Sequence, residues 1–230
     1  TVSKALNGAP DVSAETAERI RKTATQMGYM PNAAARALKT SRSYNFGVLF
    51  EENTNSGLTH EFFSRILNAF KHRAEELGYD ISFISDRLGG REISYTEHAR
   101  YRNCDGVIIA SVDFTDPDVI KLVNSDIPTV TLDYVFDSHS AVLSDNVGGM
   151  AELVRYVYGK GHRKIAFIHG EGTSVTQKRL GSFYKTCAEL GVTIPEGYIE
   201  TANYHDPKAS GLATRRLLAL KERPTCILYP

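Results

Sequence analysis

Through residues 1–43 the apolar positions recur at helical spacing, and no strand-like run occurs. Val2, Ala5 and Leu6 share one face of a short helix, which Asn7-Gly8-Ala9-Pro10 ends with turn chemistry. A second helix is expected from Ser13, with Glu15 and Thr16 in its first turn and Gly28 capping its end. Its apolar positions Ala17, Ile20, Ala24 and Met27 follow the i, i+3, i+4 pattern. Pro31 can open a third helix, and Ala33-Ala34-Ala35-Arg36-Ala37-Leu38 favours that state, although two turns are marginal alone in water. Thr40-Ser41-Arg42-Ser43 reads as a linker.

From Phe46 the pattern changes to strands alternating with helices. Strands are expected at Phe46–Phe50, Ile81–Ile84, Gly106–Ala110, Thr129–Leu132, Ile165–Ile168 and Cys226–Tyr229. Between them lie helical stretches near 59–77, 91–102, 116–124, 146–159, 176–190 and 207–221. Short apolar runs separated by amphipathic helices imply βαβ units and a parallel sheet covered on both faces. In such sheets ligands bind beyond the carboxyl ends of the strands, so the residues after each strand are the first to inspect.

Composition narrows the class. The 230 residues suit one large or two medium domains, at roughly 100–200 residues per domain. At 42% hydrophobic and 23% charged the chain can bury a core, which excludes global disorder. No apolar run approaches the ~20 residues that span a bilayer, and no secretory signal opens the chain. Cys104, Cys187 and Cys226 form no Cys-x-x-Cys motif or disulfide framework, which favours a reducing cytoplasmic setting. The net charge of zero hides an asymmetry: residues 1–43 carry seven basic and three acidic side chains, a balance of +4. A basic head on a mildly acidic body points the head toward a polyanion.

Enzyme chemistry is poorly represented. The phosphate-loop pattern is missing, and His169-Gly170-Glu171-Gly172-Thr173-Ser174 lacks its lysine. There is no G-x-S-x-G elbow, and the seven histidines are scattered without metal-ligand spacing. No catalytic residue, metal site or cofactor is therefore assigned.

Three blocks carry a more specific signal: Thr1-Val2-Ser3-Lys4-Ala5-Leu6-Asn7-Gly8, then Val12-Ser13-x-Glu15-Thr16-x-x-Arg19-Ile20, then Gly28-Tyr29-x-Pro31-Asn32-x-Ala34-Ala35-Arg36-x-Leu38. Together they closely resemble the bacterial lactose/galactose-repressor (LacI/GalR) family. The resemblance continues through Gly47-Val48, Gly78-Tyr79, Asp105–Ile108, Ile127-Pro128, Asp145-Asn146 and Gly161–Ile168, and so runs the length of the chain. It implies an α/β fold: a two-lobed parallel-sheet core like periplasmic binding proteins, preceded by an all-α helix-turn-helix headpiece and a hinge helix. By that comparison both headpiece and core are partial. The family's first helix lies before Thr1, and its C-terminal end lies well beyond Pro230. The implied divisions are a headpiece over 1–30, a hinge over 31–43, an N-terminal lobe over 44–147 and a C-terminal lobe over 148–230.

The resemblance also implies roles. Thr1, Val2, Ser3 and Lys4 belong to the recognition helix, where hydroxyls and a lysine reach bases and phosphates, and Asn7 closes it against the DNA backbone. Asn32 and Ala35 face phosphates and groove, while Leu38 wedges into the minor groove; its alternative is ordinary core packing. For the effector, Phe62 offers an aromatic face to a sugar or planar base, with Phe63 equally suited to the core. Asp133 matches a position that contacts sugar hydroxyls, against a plain loop carboxylate. Asp145 is either a ligand or a helix cap. Arg179 matches an effector-contacting arginine, against a helix-surface one. The implied protein is a cytoplasmic, homodimeric transcriptional regulator that binds operator DNA and a small polar effector, a sugar foremost. A periplasmic-type carbohydrate-binding protein and a nucleotide-using α/β enzyme are the alternatives, and the basic helical head argues against both.

Overall fold

The computed structural model describes residues 2–6, 9–29, 37–38, 40–51, 57–59, 61–204 and 206–229. The chain forms two units, Thr1–Tyr44 and Asn45–Pro230.

In the first unit, helices α1 (Val2–Leu6) and α2 (Ala14–Gln26) meet through small side chains, with Ala5 and Ala17 buried. Ser13 caps α2 by accepting the Thr16 N–H at 3.3 Å. At the other end Gly28 adopts φ +64°, the Tyr29 N–H donates to the Ala24 carbonyl, and the Gly28 N–H donates to that of Thr25. That pairing is a Schellman closure, and glycine suits its left-handed position. Lys4 forms an exposed ion pair with Asp11. Ala37 and Leu38 have helical backbone, and Leu38 is 88% exposed. Thr1, Asn7, Asn32 and Ala35 lie outside the described residues.

The second unit carries two parallel sheets. The first has the order β2-β1-β5-β6-β7, built from β1 (Asn45–Phe50), β2 (Asp80–Ile84), β5 (Gly106–Ser111), β6 (Thr129–Leu132) and β7 (Ser140–Val142). Helices α3 (Glu61–Glu76), α4 (Tyr95–Tyr101) and α5 (Pro117–Val123) connect its strands. Leu49, Ile84, Val107, Ile109 and Leu122 form its core with Tyr95 and Ala99. A side chain at Gly47 in β1 would force its neighbours to shift, because an added Cβ would lie 2.9 Å from Val107 and 3.0 Å from Ile84.

The second sheet has the order β10-β8-β9, from β8 (Ile165–His169), β9 (Ile199–Thr201) and β10 (Cys226–Leu228). Its helices are α6 (Asn146–Gly159), α7 (Ser174–Glu189) and α8 (Pro207–Ala219). All of Ile165–Ile168 is buried, because alternate residues enter different cores. Ile165 and Phe167 join Val154 and Phe183, whereas Ala166 and Ile168 join Ala213 and Leu217. A strand covered on both faces must be apolar throughout, as the continuous run required.

The structure departs from expectation in a few places. The helix expected near 91–102 begins only at Tyr95. Arg87–Leu88 (β3) and Arg91–Glu92 (β4) instead form a small antiparallel hairpin. Gly89 and Gly90 make its turn with φ +59° and +80°, and a Ser94–Glu97 capping box starts α4 behind it. Strands β7 and β9, three residues each, had not been expected.

Candidate functional site

Several of the residues named above follow the carboxyl ends of parallel strands. After β1 stands Glu51, whose charge acts on the Tyr95 phenol. Burial pushes the Tyr95 phenol well above its usual range, helped by Glu51 and the charges of Asp116 and Asp86. Phe63, half-buried, packs edge-on against Phe50 at 5.4 Å, and Phe62 meets Phe63 at 5.2 Å with 43% of its surface exposed. Of the two, Phe62 is the one that keeps a free aromatic face.

After β5 and β6 stands an aromatic group that sequence patterning missed. Phe114 stacks on Tyr134 at 4.4 Å with planes 6° apart, and Phe136 closes on Tyr134 at 4.9 Å. These rings sit in loops without periodicity. Their only signal was their position just past a strand.

Asp133 has left-handed backbone (φ +55°), which aspartate tolerates better than most residues. Its carboxylate accepts the Ser144 N–H at 2.6 Å and the Ser144 hydroxyl at 2.9 Å. Its carbonyl accepts the Ser174 hydroxyl at 3.2 Å, which joins β6 to the start of α7. Asp145 caps α6 by accepting the Gly148 N–H at 2.8 Å. Arg179, half-buried on α7, donates its Nε–H to Asn146 Oδ1 at 2.8 Å. Ser182 stands one turn further along α7. It is buried and donates to the Val147 carbonyl at 2.6 Å, so the hydroxyl finds a partner inside the α6–α7 contact.

Thus Asp133, Asp145 and Arg179 fall in one region around the start of α6 and the first turns of α7. Phe62 belongs to the neighbourhood of β1. A second missed residue is Tyr204, beyond β9. Its ring lies against Gly170, where an added Cβ would stand 2.0 Å from the ring. Its hydroxyl pairs with Thr176 at 2.8 Å and its N–H donates to Glu171 at 3.2 Å. Gly170 is therefore needed for the close approach of the Tyr204 ring. A cavity of about 480 Å³ lies elsewhere, between α3 and β2, with Leu67, Phe70, Tyr79 and Phe83 on its walls. Its lining is mostly apolar but also includes Ser64, Asn68, Asp80 and the paired Lys71 and Glu75.

Among the described residues, no group of three or more His, Cys, Asp or Glu side chains is placed to hold a metal ion. No described helix is long and apolar enough to cross a membrane.

Two family models match the sequence: periplasmic binding proteins and sugar binding domain of the LacI family over residues 45–227, and bacterial regulatory proteins of the lacI family over residues 1–32. The chain belongs to the LacI family. This LacI-family chain is 28% identical over 236 residues to the HTH-type transcriptional repressor PurR of Vibrio cholerae. It is 27% identical over 234 residues to Catabolite control protein A of Priestia megaterium. Each alignment covers 99% of the chain, with 67% of PurR and 68% of Catabolite control protein A. The lac repressor dimer, solved with operator and the anti-inducer ONPF, matches with a TM-score of 0.72. That match covers 99% of this chain and 68% of the other at 24% identity, and what it shares is the fold.

Proposed function

We propose that this LacI-family chain is a cytoplasmic transcriptional repressor, working as a homodimer on operator DNA under the control of a small polar effector of the sugar class. In this reading residues 1–30 are the headpiece, 31–43 the hinge, and 44–147 and 148–230 the two lobes of the effector-binding core. Val2, Ser3 and Lys4 on α1, with Thr1 and Asn7, contact the operator, and Asn32, Ala35 and Leu38 serve the minor groove. Phe62, Asp133, Asp145 and Arg179 serve the effector. Ligand changes the geometry of the lobes and loosens the hinge's grip; by linkage, operator must then weaken effector binding to the same degree.

The observation that carries this reading is Arg179. The side chain is half-buried, and among the described residues it is held through Nε alone and forms no ion pair. Its terminal nitrogens suit two neighbouring ligand oxygens, in a region rich in hydroxyl and carboxylate groups. A thermal-shift screen against sugars, sugar phosphates, nucleosides and purine bases identifies the effector. Arg179→Ala is then expected to cost about 1.5–3 kcal/mol of effector binding while operator affinity stays near wild type. Unchanged effector affinity would place the pocket elsewhere.

Leu38 gives a separate test of the head. At 88% exposure it contributes little to a core, whereas a minor-groove wedge offsets base unstacking of a few kcal/mol per step. Leu38→Ala should weaken operator binding without lowering the melting temperature of the core. A buried leucine would behave oppositely, at about 2–5 kcal/mol of fold stability.

A further inference from the structure

We propose that Asn146 is a positioning residue of the effector site, which holds Arg179 ready for ligand and ties its orientation to the segment joining the two sheets. The inference rests on the reading of Arg179 given above. Asn146 opens α6 and is only 6% exposed. Its Oδ1 accepts the Arg179 Nε–H at 2.8 Å. On its other side Nδ2 donates to the Ser144 carbonyl at 3.3 Å, and the Asn146 N–H donates to the same carbonyl at 2.8 Å.

The connection continues in both directions. Ser144 donates its N–H and hydroxyl to the Asp133 carboxylate, at 2.6 and 2.9 Å. The Asp133 carbonyl accepts the hydroxyl of Ser174, at 3.2 Å. Ser174 is the first residue of α7, the helix that carries Arg179. The circuit Asp133–Ser144–Asn146–Arg179–α7–Ser174 therefore closes on itself. It links the end of β6 in the first sheet to the two helices that cover the second. A shift at Asp133 cannot occur without moving Ser144 or Ser174, and both lead to Arg179.

An amide is the right group at the junction. Its oxygen orients the guanidinium through one directional hydrogen bond and carries no net charge, so Arg179 keeps its full positive charge for a ligand. A carboxylate in the same place would orient Arg179 equally well but would neutralise it. Asn146 also has a second handle, its NH2 group, which a carboxylate lacks. That handle secures the link back to Ser144.

The test needs no effector. In nitrogen-15 NMR of the full chain, the Nε–Hε signal of Arg179 is assigned by its loss in Arg179→Lys. Asn146→Ala should speed its exchange with solvent by roughly tenfold, the protection expected from one ordinary hydrogen bond. Asn146→Asp should restore the protection, because a carboxylate oxygen still accepts from Nε. Ser144→Ala, a milder change two links from Arg179, should shift the same signal while the melting temperature holds. Protection that persists in Asn146→Ala, or a signal unmoved by Ser144→Ala, would overturn the proposal. Loss of protection in both Asn146→Ala and Asn146→Asp would also overturn it, by making the residue structural. If these results hold yet Arg179→Ala leaves effector binding intact, the effector-site reading fails and the grip of Asn146 on Arg179 stands.

Discussion

Phe183→Ala is expected to destabilise the second sheet and its helices by about 3–5 kcal/mol, the range for truncating a buried phenylalanine. The side chain is fully buried, and its ring lies 5.3 Å from that of Phe167, itself fully buried. Met150 and Val154 of α6, Cys187 of α7 and Leu228 of β10 belong to the same cluster, so little can relax into the space left behind. Neighbouring Tyr184, 45% exposed, is the control, and Tyr184→Ala should change stability far less. Urea unfolding of both variants measures the difference. A loss below about 1 kcal/mol for Phe183→Ala would mean that the α6–α7 layer is not packed on β8 as described. The first sheet's core shares none of these residues, so its side of the molecule should keep its native tyrosine environment at the lower midpoint.

Much of this architecture was readable from the residues. The six longer helices and six strands of the core declared themselves because burial on one or both faces leaves a periodic trace. Ile165–Ile168 is the clearest case, since a strand covered on both faces allows no polar position. The misses have equally physical origins. Strands β7 and β9 are too short for a period to repeat. The β3–β4 hairpin depends on the backbone freedom of Gly89-Gly90, and a hydrophobic pattern does not report that freedom.

For the site, the family resemblance pointed to Asp133 and Asp145 but not to what their side chains hold. Asp133 turned out to hold Ser144 and Ser174, partners 11 and 41 residues away in sequence. Tyr204 gave no signal, and Asn146 stood out only as part of the Asp145-Asn146 pair in the resemblance, because what each does lies in tertiary contacts with Gly170 and Arg179. Asp145 caps α6, the role that its place before a helix offered, beside the effector role proposed above.

The second large effect is expected at the head. Residues 1–43 hold a surplus of +4 in a chain that is neutral overall. Lys4 sits on α1, and its partner Asp11 is an exposed carboxylate that a phosphate can replace at little cost. A basic helical head of this kind gains affinity by releasing counterions from the duplex, so its binding must respond steeply to salt. An acidic-patch protein ligand, or a head that merely stabilises the core, would not show that dependence on a DNA probe.

The measurement that tests the central claim most directly is the affinity of the intact gene product for a duplex selected from a randomised pool, followed across salt concentration. With about 6–10 phosphate contacts, affinity should fall log-linearly by roughly 10³–10⁵ between about 50 and 200 mM salt. Failure to select any duplex, or binding that is flat across that range, would contradict the assignment of residues 1–43 to DNA.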